Sequence, residues 1–179
     1  MAFFTESYFR DYKDNLNESQ RTFSSRANRD TDTKFDIFIS YNINDKTIIK
    51  GVYNALTELR FKVYVDFIID SNLDRSNVTL STAQTIRKRL ENSKSLIYAQ
   101  SPAAAMSRWM PWELGVVDGH TKKCAILPIL KDGSVNYERQ EYLQLYPVIK
   151  PSIIYKMFYV YKNVYDVKDG VYLGDYIIQ

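Results

Sequence analysis

The chain has 179 residues, 45% hydrophobic and 25% charged, a composition typical of one globular domain rather than of a disordered, collagen-like or coiled-coil chain. Its formal net charge of +3 is small and dispersed, so we expect no nucleic-acid partner. One cysteine, Cys124, and one histidine, His120, exclude an internal disulfide and the common Cys/His zinc sites, so we also expect no metal.

The N-terminus lacks the basic flank and the apolar stretch of a signal peptide. No segment reaches the roughly 18 consecutive apolar residues of a membrane span. We therefore expect a cytoplasmic protein without a membrane partner.

The first 34 residues are polar, but four apolar side chains recur in them at a spacing of four. These are Phe4, Tyr8, Tyr12 and Leu16, and their spacing predicts a short helix. The following stretch, Asn17 to Lys34, has no apolar period and is interpreted as a linker. We therefore divide the chain into an N-terminal helix with a linker, residues 1–34, and one domain, residues 35–179, which ends in a Tyr-rich extension.

Strands and helices alternate from Phe35 onward. The predicted strands are Phe35–Ser40, Lys62–Phe67, Ser95–Gln100 and Cys124–Leu130. The predicted helices start near Ile48, near Ser81, where Ser81 and Gln84 have the spacing of a capping box, and near Trp112. The expected fold is α/β: a flavodoxin-like parallel sheet of about five strands with helices on both faces.

In such a sheet, ligands bind beyond the carboxyl ends of the strands, where the strand order reverses. The walls of that crevice would be Ser40–Asp45 and Ser101–Trp112. Pro111 suits the first position of a helix, which places Glu113 in the first turn, where the helix dipole favours a carboxylate. A structural role, with Glu113 serving the helix end and the tryptophans packed in the core, fits the same pattern.

At this point the sequence resembles a known family. Phe35–Tyr41 resembles the opening box of Toll/interleukin-1 receptor (TIR) domains, and Ser101-Pro102 followed by Ser107, Trp109 and Glu113 resembles their segment after the third strand. The resemblance covers residues 35 to 130. It implies an enzyme that cleaves the nicotinamide–ribose bond of NAD, with Glu113 as the catalytic residue.

The chemistry of this reaction is compatible with one carboxylate. Nicotinamide leaves as a neutral molecule, so no acid must protonate it, and a carboxylate can offset the positive charge that develops on the ribose. NAD would be the substrate, and no separate cofactor is expected. The resemblance and the aromatic or polar chemistry suggest a set of substrate-binding residues, namely Ser40, Tyr41, Asn42, Lys46, Asp66, Phe67 and Trp109.

Each of these residues also has a structural alternative: Phe67 can be core, Lys46 can be solvated and Asp66 can cap the following loop. The loop Ile68–Thr79 corresponds to a family segment that mediates self-association, so a homo-oligomer is implied. Residues 71–77 lack the small-residue and glycine character of that segment, so the usual assembly mode is not expected.

Similarity to the TIR components of Thoeris-type bacterial antiphage systems implies a signalling product and a separate effector protein that senses it. The product could be ADP-ribose, a cyclic isomer or a conjugate. Two alternatives remain. One is a TIR interaction scaffold without catalysis, and the other is an enzyme like the nucleoside deoxyribosyltransferases, whose glutamate segment resembles Trp112–Gly115. The motifs of Rossmann redox enzymes and P-loop NTPases do not occur.

Overall fold

The computed structural model describes residues 3–73, 79–152 and 157–178, which form a central sheet between two layers of helices. The strands in the described residues are β1 (Phe4–Thr5), β2 (Phe35–Ser40), β3 (Val63–Tyr64), β4 (Ser93–Gln100), β5 (Cys124–Leu130), β6 (Val148–Pro151), β7 (Phe158–Tyr161) and β8 (Val171–Tyr172). The helices are α1 (Glu6–Arg10), α2 (Glu18–Arg29), α3 (Lys46–Glu58), α4 (Asp66–Ile69), α5 (Leu80–Glu91), α6 (Met110–Thr121) and α7 (Leu173–Ile178).

The order of the strands confirms the predicted α/β class. Five parallel strands lie in the order β3-β2-β4-β5-β6, which is the flavodoxin-like arrangement with its switch between β2 and β4. The sheet is larger than expected, with eight strands in the described residues. The Tyr-rich extension adds β7 and β8 as antiparallel strands, and β1 pairs with β5.

Alternation along the strands separates two cores. Ile37 and Ile39 of β2 point to a core shared with α1, α3 and α7, whereas Phe38 between them points to a core shared with α5 and α6. Phe35, the first residue of the strand, does not follow this alternation and also belongs to the second core. Strand β5 is buried on both faces over most of its length, as is typical of a central strand in a parallel sheet covered by helices.

The N-terminal extension differs from the prediction. A short strand and a five-residue helix replace the longer helix expected from Phe4 to Leu16. The linker prediction is wrong over residues 18–29, which form α2. Asn17 and Gln20 make a reciprocal capping box at its start, so the polar residues that resemble a linker are the start signal of a helix.

Three local predictions in the second βα unit also need correction. The second strand is shorter than Lys62–Phe67, because Phe67 belongs to α4. The residue that caps α5 is Thr79, whose hydroxyl accepts from the backbone N–H of Thr82, and not Ser81. Residues 74–78 of the predicted self-association loop lie outside the described residues.

Within the described residues, no helix combines the length and the apolar character needed to cross a bilayer.

Candidate active site

Glu113 lies in the first turn of α6, as predicted, although Pro111 occupies the second helical position and not the first. The turn is closed by a bond of 2.9 Å from the backbone N–H of Glu113 to the carbonyl of Trp109. The side chain has no exposed surface. The carboxylate is thus directed inward, beneath the start of the helix.

The hydroxyl of Ser40 donates to the Glu113 carboxylate at 2.5 Å. Ser40 ends β2 and pairs in register with Tyr98 of β4, so these two side chains share the face that carries α6. Burial is the main cause that raises the pKa of Tyr98, and the charge of Glu113 contributes to the increase. Ser40, Tyr98 and Glu113 therefore form one group near the carboxyl ends of β2 and β4.

A second group lies on the opposite face. The hydroxyl of Tyr41 donates to Asp66, which also accepts from the backbone N–H of Phe67 at 2.6 Å. The Tyr41 and Phe67 rings meet edge to face with centroids 5.7 Å apart, and the Lys46 ammonium lies 5.8 Å from the Phe67 centroid. The structure thus brings four predicted substrate-binding residues together, but around Phe67 and not around Glu113.

The two predicted walls of the crevice contact each other directly. Asn42 donates to the carbonyl of Ala103 at 2.8 Å, and the hydroxyl of Ser101 donates to Asp45. Burial raises the pKa of Asp45, and the hydrogen bond from Ser101 offsets part of this increase. Hydrogen bonds therefore bridge the crevice between the loops after β2 and β4.

A cavity of about 580 Å³ opens beside this bridge, between the carboxyl ends of β4 and β5. Tyr98 lines it, which puts the cavity next to the group of Ser40 and Glu113. The cavity also holds aromatic, amide and cationic side chains from the strand ends and the loop after β5, namely Gln100, Lys131, Tyr137, Arg139 and Gln140. Its size falls within the range of about 300–1,000 Å³ that is usual for small-molecule sites.

None of the eight predicted site residues lines that cavity. Trp109 is half-buried and packs edge to face on Trp112, with ring centroids 5.6 Å apart. Sequence reasoning missed Tyr98, Tyr137 and Arg139, since it considered only the loops after the first three strands. The rule that ligands bind beyond the carboxyl ends of parallel strands also covers the loop after β5 and could have found them.

Within the described residues, no group of three or more His, Cys, Asp and Glu side chains is placed to hold a metal ion. The buried Cys124 has a pKa raised to about 12, mainly by burial, so its thiol stays protonated at neutral pH.

Comparison with known proteins places the sequence in a family. The TIR domain family profile matches residues 37–151, which is more than half of the chain. The protein ThsB′ from Bacillus cereus (strain MSX-D12), named as a probable 3′ cyclic ADP-D-ribose synthase, is 44% identical over 128 residues, which are 71% of this chain and 66% of that protein.

A second relative, TIR2 from Cytobacillus dafuensis, carries the provisional name of a cyclic ADP-D-ribose synthase. It is 32% identical over 81 residues, or 45% of this chain and 21% of that protein. The chain thus spans less than two thirds of either relative.

Among solved structures, the TIR domain of the Toll-related receptor TRR-2 from Hydra magnipapillata has a TM-score of 0.45 and 22% identity, covering 62% of this chain and 78% of that chain. The family match includes β2 from Ile37 onward, the Ser40–Glu113 pair and the cavity. The chain belongs to the TIR domain family.

Proposed function

We propose that this chain is a TIR enzyme that cleaves the nicotinamide–ribose bond of NAD and closes the ADP-ribose product into a cycle, as part of a Thoeris-type antiphage response. The observation that carries the proposal is the 44% identity over 128 residues to a protein named as a probable 3′ cyclic ADP-D-ribose synthase. The family match over residues 37–151 includes the Ser40–Glu113 pair. The product class and the biological role both come from that relationship.

Glu113 would act on the ribose. As the carbon–nitrogen bond breaks, its electron pair moves to the pyridinium nitrogen, and the ribose acquires positive charge that the Glu113 carboxylate offsets. The hydroxyl of Ser40 holds the carboxylate in one orientation, so little reorganisation is needed when charge develops. A nucleophile of the substrate's own adenosine half then bonds to the ribose carbon and loses its proton.

The cavity beside Tyr98 is the proposed site for the adenosine diphosphate half of NAD. Tyr137 offers an aromatic face to the base, and the cations of Lys131 and Arg139 complement the two phosphates. For the ribose to reach Glu113, the loops that carry Asn42 and Ser101 would separate by breaking their two hydrogen bonds.

The test compares wild type with Glu113→Gln and with Glu91→Gln as a matched control, because the Glu91 side chain is 53% exposed and belongs to a surface ion pair. Each protein is incubated with NAD, and nicotinamide and the product are measured by mass spectrometry. Glu113→Gln should lose activity by roughly 10²-fold or more, and Glu91→Gln should keep it. A cyclic product is lighter than ADP-ribose by one water.

Four results would contradict the proposal in different ways. Equal nicotinamide release by wild type and Glu113→Gln would remove Glu113 from the mechanism. Release of ADP-ribose alone would contradict cyclisation, and no release by wild type would favour the interaction scaffold. A covalent deoxyribosyl adduct on Glu113 would favour the deoxyribosyltransferase-like alternative.

Other predictions about the biological setting follow from this proposal. Three points stay predictions. They are an effector protein that senses the cyclic product, assembly as a homo-oligomer and a cytoplasmic location. A pull-down with the immobilised cyclic product and light scattering of the purified chain would test the first two.

A further inference from the structure

The N-terminal segment, residues 3–10, lies outside the part of the chain that matches the TIR family. Its strand β1 runs parallel to the carboxyl end of β5 and pairs Phe4 with Ile129 and Thr5 with Leu130. Ile129 and Leu130 also line the 580 Å³ cavity. The N-terminal segment therefore lies directly beside one wall of that cavity.

The loop after β5, residues 131–140, supplies much of the remaining wall and is mostly exposed. Side-chain contacts of Ser7 and Phe3 join it to the N-terminal segment. The hydroxyl of Ser7 donates to the carboxylate of Asp132, and the rings of Phe3 and Tyr137 lie with centroids 5.2 Å apart. The bond from Ser7 is the main cause of the lowered pKa of Asp132.

Tyr137 connects the N-terminal segment to the polar groups of the cavity through hydrogen bonds. Its hydroxyl donates to the side-chain oxygen of Gln100 at 2.6 Å, and the amide nitrogen of Gln100 donates to the carbonyl of Glu138 at 2.9 Å. All three residues line the cavity. A shift of Tyr137 would therefore change the arrangement of hydrogen-bonding groups offered to a ligand.

The N-terminal segment is itself fixed to the body of the protein. Phe9 is fully buried, and its backbone packs on α3 at Gly51, where a methyl group would come within 1.8 Å of the Phe9 oxygen. Phe4 stacks on Phe158 of β7 with ring centroids 5.0 Å apart. The segment is thus a rigid support, and its contacts constrain the exposed loop.

From these contacts we infer that the N-terminal segment is a positioning element of the substrate cavity. Ser7 and Phe3 hold the loop of residues 131–140 in the shape that accepts the adenosine diphosphate half of the substrate. The identity of the ligand in this inference rests on the proposed function. The role of Ser7 and Phe3 in holding the loop does not depend on that function.

The experiment uses the full chain and four variants. Ser7→Ala and Phe3→Ala remove the two contacts, Ser7→Thr keeps a hydroxyl, and Ser25→Ala removes an exposed hydroxyl of α2 as a matched control. Hydrogen exchange of residues 131–140 is followed by mass spectrometry, with β4 as an internal check of folding. Binding of ADP-ribose is measured by calorimetry, and KM and kcat for NAD are measured separately.

Ser7→Ala and Phe3→Ala should speed exchange in residues 131–140 and leave β4 unchanged. Each should weaken ADP-ribose binding and raise KM by roughly two- to tenfold, which corresponds to the loss of one hydrogen bond or ring contact, with kcat nearly unchanged. Ser7→Thr should restore wild-type values, and Ser25→Ala should match wild type.

Unchanged exchange in both variants would overturn the inference, as would faster exchange with unchanged affinity for ADP-ribose. If wild type releases no nicotinamide but the variants show faster loop exchange and weaker ADP-ribose binding, the proposed function fails and the positioning role stands.

Discussion

Among the described residues, Arg89 is the largest side chain with no exposed surface, and its position shows how single residues join separate elements. It lies on α5 and donates two hydrogen bonds, of 2.9 and 2.7 Å, to the carboxylate of Asp70 at the end of α4. It also donates to the carbonyls of Ala27 and Asp30 at the end of α2, at 2.9 Å each. The planar guanidinium can satisfy these acceptors together, whereas an ammonium cannot.

Replacing this side chain should be strongly destabilising. Arg89→Met would leave Asp70 as a partly buried charge without its main partner, and we expect the free energy of unfolding to fall by about 3–5 kcal/mol. Arg87→Met on the same helix removes an exposed ion pair and should cost less than about 1 kcal/mol. Urea denaturation of both variants measures the difference, and equal losses would show that the buried network adds little.

At the scale of elements, the close packing of α1 on α3 depends on the absence of a side chain at Gly51. A Cβ there would lie 1.8 Å from the backbone oxygen of Phe9, so either α1 or α3 would have to move. Gly115 on α6 is the opposite case, because it is exposed and no atom lies within 4 Å of its Cβ position.

Gly51→Ala should therefore lower the free energy of unfolding by about 1–3 kcal/mol through overpacking. Gly115→Ala should raise it by up to about 1 kcal/mol, because alanine is the better helix former. Thermal or urea denaturation of the two variants checks both signs. A Gly51→Ala protein as stable as Gly115→Ala would mean that α1 does not pack on α3 in solution.

For the whole molecule, the tyrosines determine how stability responds to alkaline pH. The chain contains 15 of them, and burial is the main cause that raises the pKa of Tyr137, Tyr146 and Tyr176 from 10.0 to about 12. The folded state therefore keeps protons that the unfolded state loses. Their contribution to stability is complete below pH 10 and is lost as the pH rises toward 12.

The urea midpoint should consequently fall as the pH rises above about 10, and tyrosinate absorbance should increase together with unfolding. Tyr137→Phe should reduce the pH dependence, and Tyr165→Phe, at an 80% exposed position, should leave it unchanged. An unchanged midpoint between about pH 9 and 11 would contradict the burial of these hydroxyl groups.

Local patterns are enough to predict the parallel core and the start of the helix that carries Glu113. The apolar runs of β2, β4 and β5 and the proline at the start of α6 need no knowledge of distant residues, because hydrophobic period and backbone restriction act over a few positions. The opening box and the Trp109–Glu113 spacing likewise identify the family, which the match over residues 37–151 confirms.

Contacts between distant segments determine the parts of the fold and of the site that local patterns do not predict. Helix α2 has one fully buried side chain, Ala27, and is held by polar contacts such as those with Arg89, so its sequence has the character of a linker. Strands β1 and β8 have two residues each and exist only because longer strands pair with them. The carboxylate of Glu113 points to Ser40 because α6 docks on β2 and β4, and no pattern within the helix specifies that docking. The sequence alone thus determines the fold class, the family and the candidate glutamate, whereas only packing across the sheet determines what surrounds that glutamate and which cavity lies beside it.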